Sequence, residues 1–263
     1  MKKLIITLLL AVFPLATYAD ISVQLDSHGK IVLDKAPIDI HDKDSLQRGA
    51  KSFADYCLSC HSAFFMRYNR IARDTGMTEE AVREAMIFTR DDKDKPSKIG
   101  DLMKISMSEN YAKNAFGGAV PDLSLTARAR GADWLYTYLR TFYMDAYRPM
   151  GVNNLAFADV GMPHVLWDLQ GQQKAVYKTV QQETVDGGMQ DVERLDHLKL
   201  VSEGTMTVEE YDAFVTDLVN FMVYLAEPVQ VERRSMGWKV LAFLFVFFIF
   251  AYLLKKEYWK DVH

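Results

Sequence analysis

Residues 57–61 read Cys57-Leu58-Ser59-Cys60-His61, a C-x-x-C-H run that uses the only two cysteines of a 263-residue chain. Two thiols three positions apart reach the two vinyl groups of one porphyrin and form thioethers. The adjacent histidine then presents its imidazole to the iron. Three other uses of such a pair fit less well. A thioredoxin-like redox couple wants a βαβ context, which this sequence lacks. Zinc needs further ligands, and there is no second cysteine cluster. A plain disulfide leaves His61 without a role. The run therefore predicts one covalently bound haem c, attached at Cys57 and Cys60 with His61 as the proximal ligand.

The ligand on the other side of the iron decides between electron transfer and catalysis. Most of the 13 methionines are expected to fill the core. Two lie among glycine and proline in loops suited to crossing the far haem face, Pro149-Met150-Gly151 and Gly161-Met162-Pro163. His164 is a third candidate. Local chemistry does not separate them. No residue with catalytic chemistry of its own is expected.

Working outward from the motif, residues 44–58 read as a helix with Asp44 or Ser45 as N-cap and the haem motif at its far end. Residues 78–89 form a second helix capped by Thr78, broken by a charged loop over 91–96. A third spans 131–144. The fourth, 207–227, is the clearest. Thr207 and Glu210 make a capping-box pattern, Val208, Tyr211, Val215, Leu218, Met222 and Leu225 recur at helical spacing, and Pro228 ends the run. Gly49 and Phe53 would let the first helix approach this one near Phe221 or Tyr224. Residues 152–159 and 190–200 read as irregular, with room for short strands. The fold class is mainly α, a monohaem cytochrome c-like helical domain.

Both ends of the chain point to a membrane. Met1-Lys2-Lys3, an apolar run from Leu4 to Ala16, and Thr17-Tyr18-Ala19 describe a secretory signal peptide, 1–19, cut after Ala19. Residues 236–254 form a second apolar segment. As a helix it would be about 28 Å long, close to the ~30 Å hydrocarbon core of a bilayer. Trp238, Tyr258 and Trp259 sit where an aromatic belt would lie, and Lys239 is near enough to an end to snorkel. Arg233 and Arg234 on one side and Lys255, Lys256 and Lys260 on the other are too even to set orientation. The signal peptide sets it, exporting a domain over 20–235 to the periplasm and leaving 255–263 as a cytoplasmic tail. The chain carries a net charge of −4. Without Lys2 and Lys3 it is −6, and without the four lysines and two acids after Trp238 the exported part is −8. That excess disfavours nucleic acid and suits a cationic partner.

Together these residues resemble the cytochrome c1 family, the haem subunit of the cytochrome bc1 (ubiquinol–cytochrome c reductase) complex, in its bacterial form. The resemblance rests on C-x-x-C-H followed by Arg67-Tyr68-Asn69, on Val120-Pro121-Asp122-Leu123-Ser124, and on Ala127-Arg128-Ala129-Arg130-Gly131. It continues through Arg148-Pro149-Met150-Gly151-Val152-Asn153-Asn154, Gly161-Met162-Pro163-His164-Val165-Leu166-Trp167, and Ala226-Glu227-Pro228 before the anchor. It implies that Met162 is the sixth ligand, and it brings Pro121, Arg128 and Tyr143 to the haem pocket. Arg128 would meet a propionate, and Tyr143 would line the pocket or simply pack in the core. Val120 departs from the family's first proline in P-P-D-L-S. Lys113 stands near the place of a propionate-binding arginine, where a lysine makes one point contact instead of a fork. The resemblance further implies electron transfer from a Rieske iron–sulfur protein to a soluble cytochrome c. The chain would sit beside cytochrome b, in a dimeric complex of the bacterial inner membrane. Two other functions compete: a stand-alone anchored electron shuttle to an oxidase or reductase, and a haem enzyme or sensor with an open sixth position.

Overall fold

The computed structural model describes residues 21–22, 24–26, 30–90, 94–105, 107–183 and 186–261. The expected signal peptide lies outside the described residues. In chain order the first elements are β1 (Ile21–Ser22), α1 (Lys43–Tyr56), β2 (Ala63–Arg67), α2 (Tyr68–Thr75), α3 (Glu79–Met86) and β3 (Leu102–Met103). Next come α4 (Glu109–Phe116), α5 (Thr126–Arg130), α6 (Ala132–Arg140), β4 (Phe142–Met144) and β5 (Val152–Asn154). The chain closes with α7 (Trp167–Gln170), β6 (Gly171–Glu183), β7 (Met189–Glu203), α8 (Val208–Ala226) and α9 (Gln230–Tyr258).

The core forms where α1 crosses α8. A Cβ on Gly49 would lie 2.0 Å from the Asp217 carbonyl oxygen and 2.7 Å from Phe221 Cβ, so only glycine admits this approach. Phe53 and Phe221 meet with ring centroids 5.5 Å apart, as the sequence suggests. Polar groups at the crossing are largely paired, the Asn220 Oδ1 oxygen being buried without a partner. Arg48 forks onto Asp217 at 2.6 and 3.0 Å, and Asn220 Nδ2 donates to the Asp39 carbonyl and to Ser45 Oγ. Tyr224 donates to Asp74 at 3.0 Å, tying α2 to α8. The α8 capping box is present as expected, Thr207 Oγ1 accepting from the Glu210 amide and Glu210 from the Thr207 amide.

Several boundaries differ from the sequence reading. Helix α1 starts one residue early, because Asp42 rather than Asp44 or Ser45 is the N-cap and accepts from the Ser45 amide. Thr78 caps α3 as expected, but the helix ends at Met86. The helix expected over 131–144 stops at Arg140, and 142–144 becomes a strand paired with β5. The carbonyls that would continue it are taken by glutamine side chains: Arg140 by Gln170 and Gln173, and Phe142 by Gln173. The stretch over 190–200 is regular, not irregular. It belongs to β7, which pairs with β6 from Gly171 opposite Glu203 to Glu183 opposite Met189. Beyond the base most residues of this hairpin are exposed on both faces, so neither strand shows an apolar alternation to read. β1 adds a third strand through Ile21 and Ser22 against Leu198 and His197.

Helix α9 contains the apolar 236–254 segment and buries no residue. Among the described residues it is the one helix long and apolar enough to cross a membrane. At 29 residues it extends about 43 Å, enough for a hydrocarbon core with both interfaces. Just ahead of it Glu227 accepts from Arg233 and lies 4.0 Å from Arg128.

Candidate haem site

The haem motif hangs from the end of α1. The Cys57 and Leu58 amides both donate to the Phe53 carbonyl, and those of Cys60 and His61 both donate to the Cys57 carbonyl. The chain thus turns tightly on a helix whose other face is buried against α8. Cys57 and Cys60 are free, half-buried thiols on that one turn. Burial pushes the Cys57 thiol up to about 12, with the Cys60 thiol adding to the effect.

His61 Nδ1 lies 2.7 Å from the Pro121 carbonyl oxygen. A carbonyl only accepts, so Nδ1 carries the proton and Nε2 keeps its lone pair for a metal. Burial lowers the pKa of this imidazole, and the Pro121 contact opposes that. The segment bearing Pro121 is stitched to the segment bearing His61. Asp122 accepts from the Phe64 amide at 2.8 Å and from the Ser124 amide at 2.8 Å. Ser124 Oγ accepts from the Phe65 amide, and the Leu123 amide donates to the Ser62 carbonyl. The P-D-L-S run is therefore a clamp that holds one carbonyl against one imidazole. The role of Asp122 and Ser124 went unread, although D-x-S is a recognisable turn-forming pattern.

Met162 is half-buried, packs against the main core and has its sulfur 3.3 Å from the Tyr138 hydroxyl, which donates to it. Phe116, at the end of α4, lies beside the same loop, its carbonyl 3.6 Å from where a Cβ on Gly161 would stand. Met150 sits elsewhere, in the turn joining β4 to β5, between hydrogen bonds from the Arg148 amide to Asp145 and from the Gly151 amide to Arg148. His164 is buried, stacked on Phe142 at 4.8 Å with 1° between the planes, and its Nε2 has no hydrogen-bond partner. Burial lowers its pKa to about 4, opposed by Gln170 and Asp168. Tyr138 carried no signal in the sequence, since an aromatic at helical spacing reads as core.

The remaining candidates are spread more widely. Arg128, on α5, is mostly exposed with Glu227 as its nearest carboxylate. Lys113, on α4, is an exposed lysine 3.9 Å from Glu109 one turn away. Tyr143, on β4, lies beside Tyr177 of β6, and burial raises its hydroxyl pKa to about 12 with Tyr177 and Asp145 reinforcing it. The residues suit a haem c: two free thiols on one turn, an imidazole with its metal-binding nitrogen available, and a thioether held in place by a hydroxyl.

A model of the cytochrome C1 family matches residues 34–262. Cytochrome c1 of Allochromatium vinosum is 47% identical over 263 residues, covering all of both chains. A Nitrosomonas europaea protein named ammonia monooxygenase gamma subunit is 49% identical over 262 residues, covering 100% of this chain and 98% of its own. Cytochrome c1 of Rhodospirillum rubrum is 26% identical over 247 residues, covering 84% of this chain and 83% of its own. With C-x-x-C-H at the end of a buried helix, a histidine of fixed tautomer and an apolar C-terminal helix, the chain belongs to the cytochrome c1 family, the membrane-anchored haem electron-transfer subunits of bc1 complexes.

Proposed function

We propose that this chain takes electrons one at a time from a Rieske iron–sulfur protein and passes them to a soluble cytochrome c. It would do so within a dimeric bc1 complex, beside cytochrome b in a bacterial inner membrane. The bound haem supplies the redox-active iron. Cys57 and Cys60 would hold one haem as thioethers, His61 Nε2 and Met162 Sδ would bind its iron, and Pro121, Arg128 and Tyr143 would contribute to its surroundings. The observation that carries this reading is the contact between His61 Nδ1 and the Pro121 carbonyl, which leaves Nε2 with its lone pair available to bind iron. An iron with both axial positions filled exchanges electrons without binding substrate, which favours transfer over catalysis. Residues 1–19 act as a signal peptide, 20–235 lie in the periplasm, 236–254 span the bilayer and 255–263 face the cytoplasm. The charge of −8 on the exported part favours a cationic acceptor.

A second reading is favoured by the Nitrosomonas europaea relative, whose name makes it a subunit of ammonia monooxygenase. In it the chain is an anchored shuttle delivering electrons to some other membrane enzyme. Detergent extraction, haem staining and identification of co-purifying chains separates the two. Cytochrome b and a Rieske protein in the haem-stained fraction support the bc1 subunit. Their absence, with an oxidase or oxygenase in their place, overturns it.

A further inference from the structure

We infer that Tyr138 is a positioning residue for the electron-transfer reaction, its hydroxyl holding Met162 and setting how strongly the sulfur donates to iron. This rests on the proposal that Met162 is the second axial ligand.

The hydroxyl donates to Met162 Sδ at 3.3 Å, and the ring that carries it has little freedom. Tyr138 is 8% exposed. Trp134, one turn earlier on α6, stacks on it at 4.8 Å with 13° between the planes, and Phe142 meets it edge-on at 5.1 Å. Trp134, Tyr138 and Phe142 recur every four residues, and each grips the loop that carries Met162. Trp134 meets Phe157 edge-on at 6.4 Å, Tyr138 holds Met162, and Phe142 stacks on His164. Arg130 lies over Trp134 at 5.0 Å and over Phe157 at 5.7 Å, covering the end of the row. The hydroxyl therefore stays aimed at the sulfur instead of following solvent.

A thioether sulfur has two lone pairs. One can bind a metal while the other accepts a hydrogen bond. The O–H withdraws electron density from the sulfur, weakens its donation to ferric iron and so favours the ferrous state. Sulfur is a weak acceptor, which limits the size of the effect. Burial keeps water from replacing the hydroxyl.

The test is Tyr138→Phe in the full-length, haem-loaded protein in detergent. It keeps the ring and its stacking and removes one oxygen. Haem staining and the far-red methionine-to-iron absorption band should be unchanged. The reduction equilibrium should shift toward the ferric form by about three- to tenfold, a fall in potential of up to ~59 mV for one electron. An unchanged potential with the band intact overturns the inference, as does a loss of thermal stability with no change in potential, which would assign the hydroxyl to packing alone. Met162→Leu measured beside it keeps the two claims apart. If that variant loses the band, the ligand proposal stands whatever Tyr138→Phe does. If it keeps the band, the ligand proposal fails and the Tyr138 inference falls with it.

Discussion

The two segments that carry the axial ligand candidates are held by different means. His61 follows a helix buried against α8, and its segment is fixed by backbone amides that donate to the Asp122 and Ser124 side chains and by the Pro121 carbonyl. Met162 lies on a loop with no regular structure and is held by side chains, the aromatic row Trp134, Tyr138 and Phe142. Backbone stitching makes a position tolerant of which apolar residues surround it. Side-chain gripping makes a position adjustable one atom at a time. The first would suit a ligand beside two thioether attachments, and the second a ligand whose donor strength sets a potential.

The largest effect should come from breaking the His61 side at its covalent step. Cys57→Ser with Cys60→Ser removes both thioethers, so a haem-stained denaturing gel should lose essentially all of its band. The protein should also fall in abundance, since the core loses an apolar filler. A normal band would mean that the motif does not hold haem.

Next should be Gly49→Ala. Its Cβ would sit 2.0 Å from a backbone oxygen of α8, which cannot move alone. The α1–α8 crossing must open, at about 3 kcal/mol or more. Thermal unfolding would read this as a lowered midpoint with the haem spectrum disturbed on the His61 side. A wild-type midpoint would show that the crossing is less tight than the structure has it.

Met162→Leu should be milder for stability and sharper for function. It conserves volume, costing under about 1.5 kcal/mol, while the thioether is lost. The haem should remain attached, the potential should fall and carbon monoxide should bind the reduced iron. Met150→Leu, in the β4–β5 turn, should leave all three unchanged. Reversal of the two phenotypes would transfer the ligand to Met150.

Removing Asp122 probes the clamp directly. Asp122→Ala deletes the acceptor for two amides, at about 1–3 kcal/mol, and loosens the carbonyl that orients His61. The expected signature is a destabilised protein whose haem stain persists, because the thioethers do not depend on the clamp. An unaltered melting curve would indicate that water replaces the carboxylate without loss.

The smallest effect concerns acid. Burial alone would raise the Asp74 pKa, but hydrogen bonds from Arg70, Arg73 and Tyr224 outweigh it and hold the carboxyl below the usual value. A group depressed in the folded state binds protons more readily unfolded. Its contribution is therefore full above the unfolded pKa, near 4, and is lost as pH falls through the folded one. Stability measured between pH 6 and pH 3 should decline less in Asp74→Asn than in the wild type. Parallel curves would remove Asp74 from the acid response.

What could be read directly was whatever depends on short spacing. C-x-x-C-H is a covalent requirement confined to five residues. The Thr207–Glu210 capping box, the apolar stripe of α8 and the apolar run of α9 are patterns repeating every few residues. The last three recur in the structure because local geometry dictates them. The end of the third helix was misjudged because glutamines thirty residues away take its last carbonyls. The β6–β7 hairpin was missed because a ladder exposed on both faces needs no apolar alternation, and its pairing is backbone to backbone.

The sequence by itself determined the C-x-x-C-H spacing that two thioethers and a histidine ligand would need, the mainly helical class, and an apolar segment long enough to cross a membrane. Each follows from covalent reach or from helical periodicity, and neither depends on distant parts of the chain. The tertiary structure alone decided that Pro121 fixes the His61 tautomer, that Met162 is held by a phenol, and that Arg128 has Glu227 as its nearest carboxylate. Those pairings join residues 24 to 99 positions apart, and no local pattern records them. They arise only when the fold brings distant segments side by side.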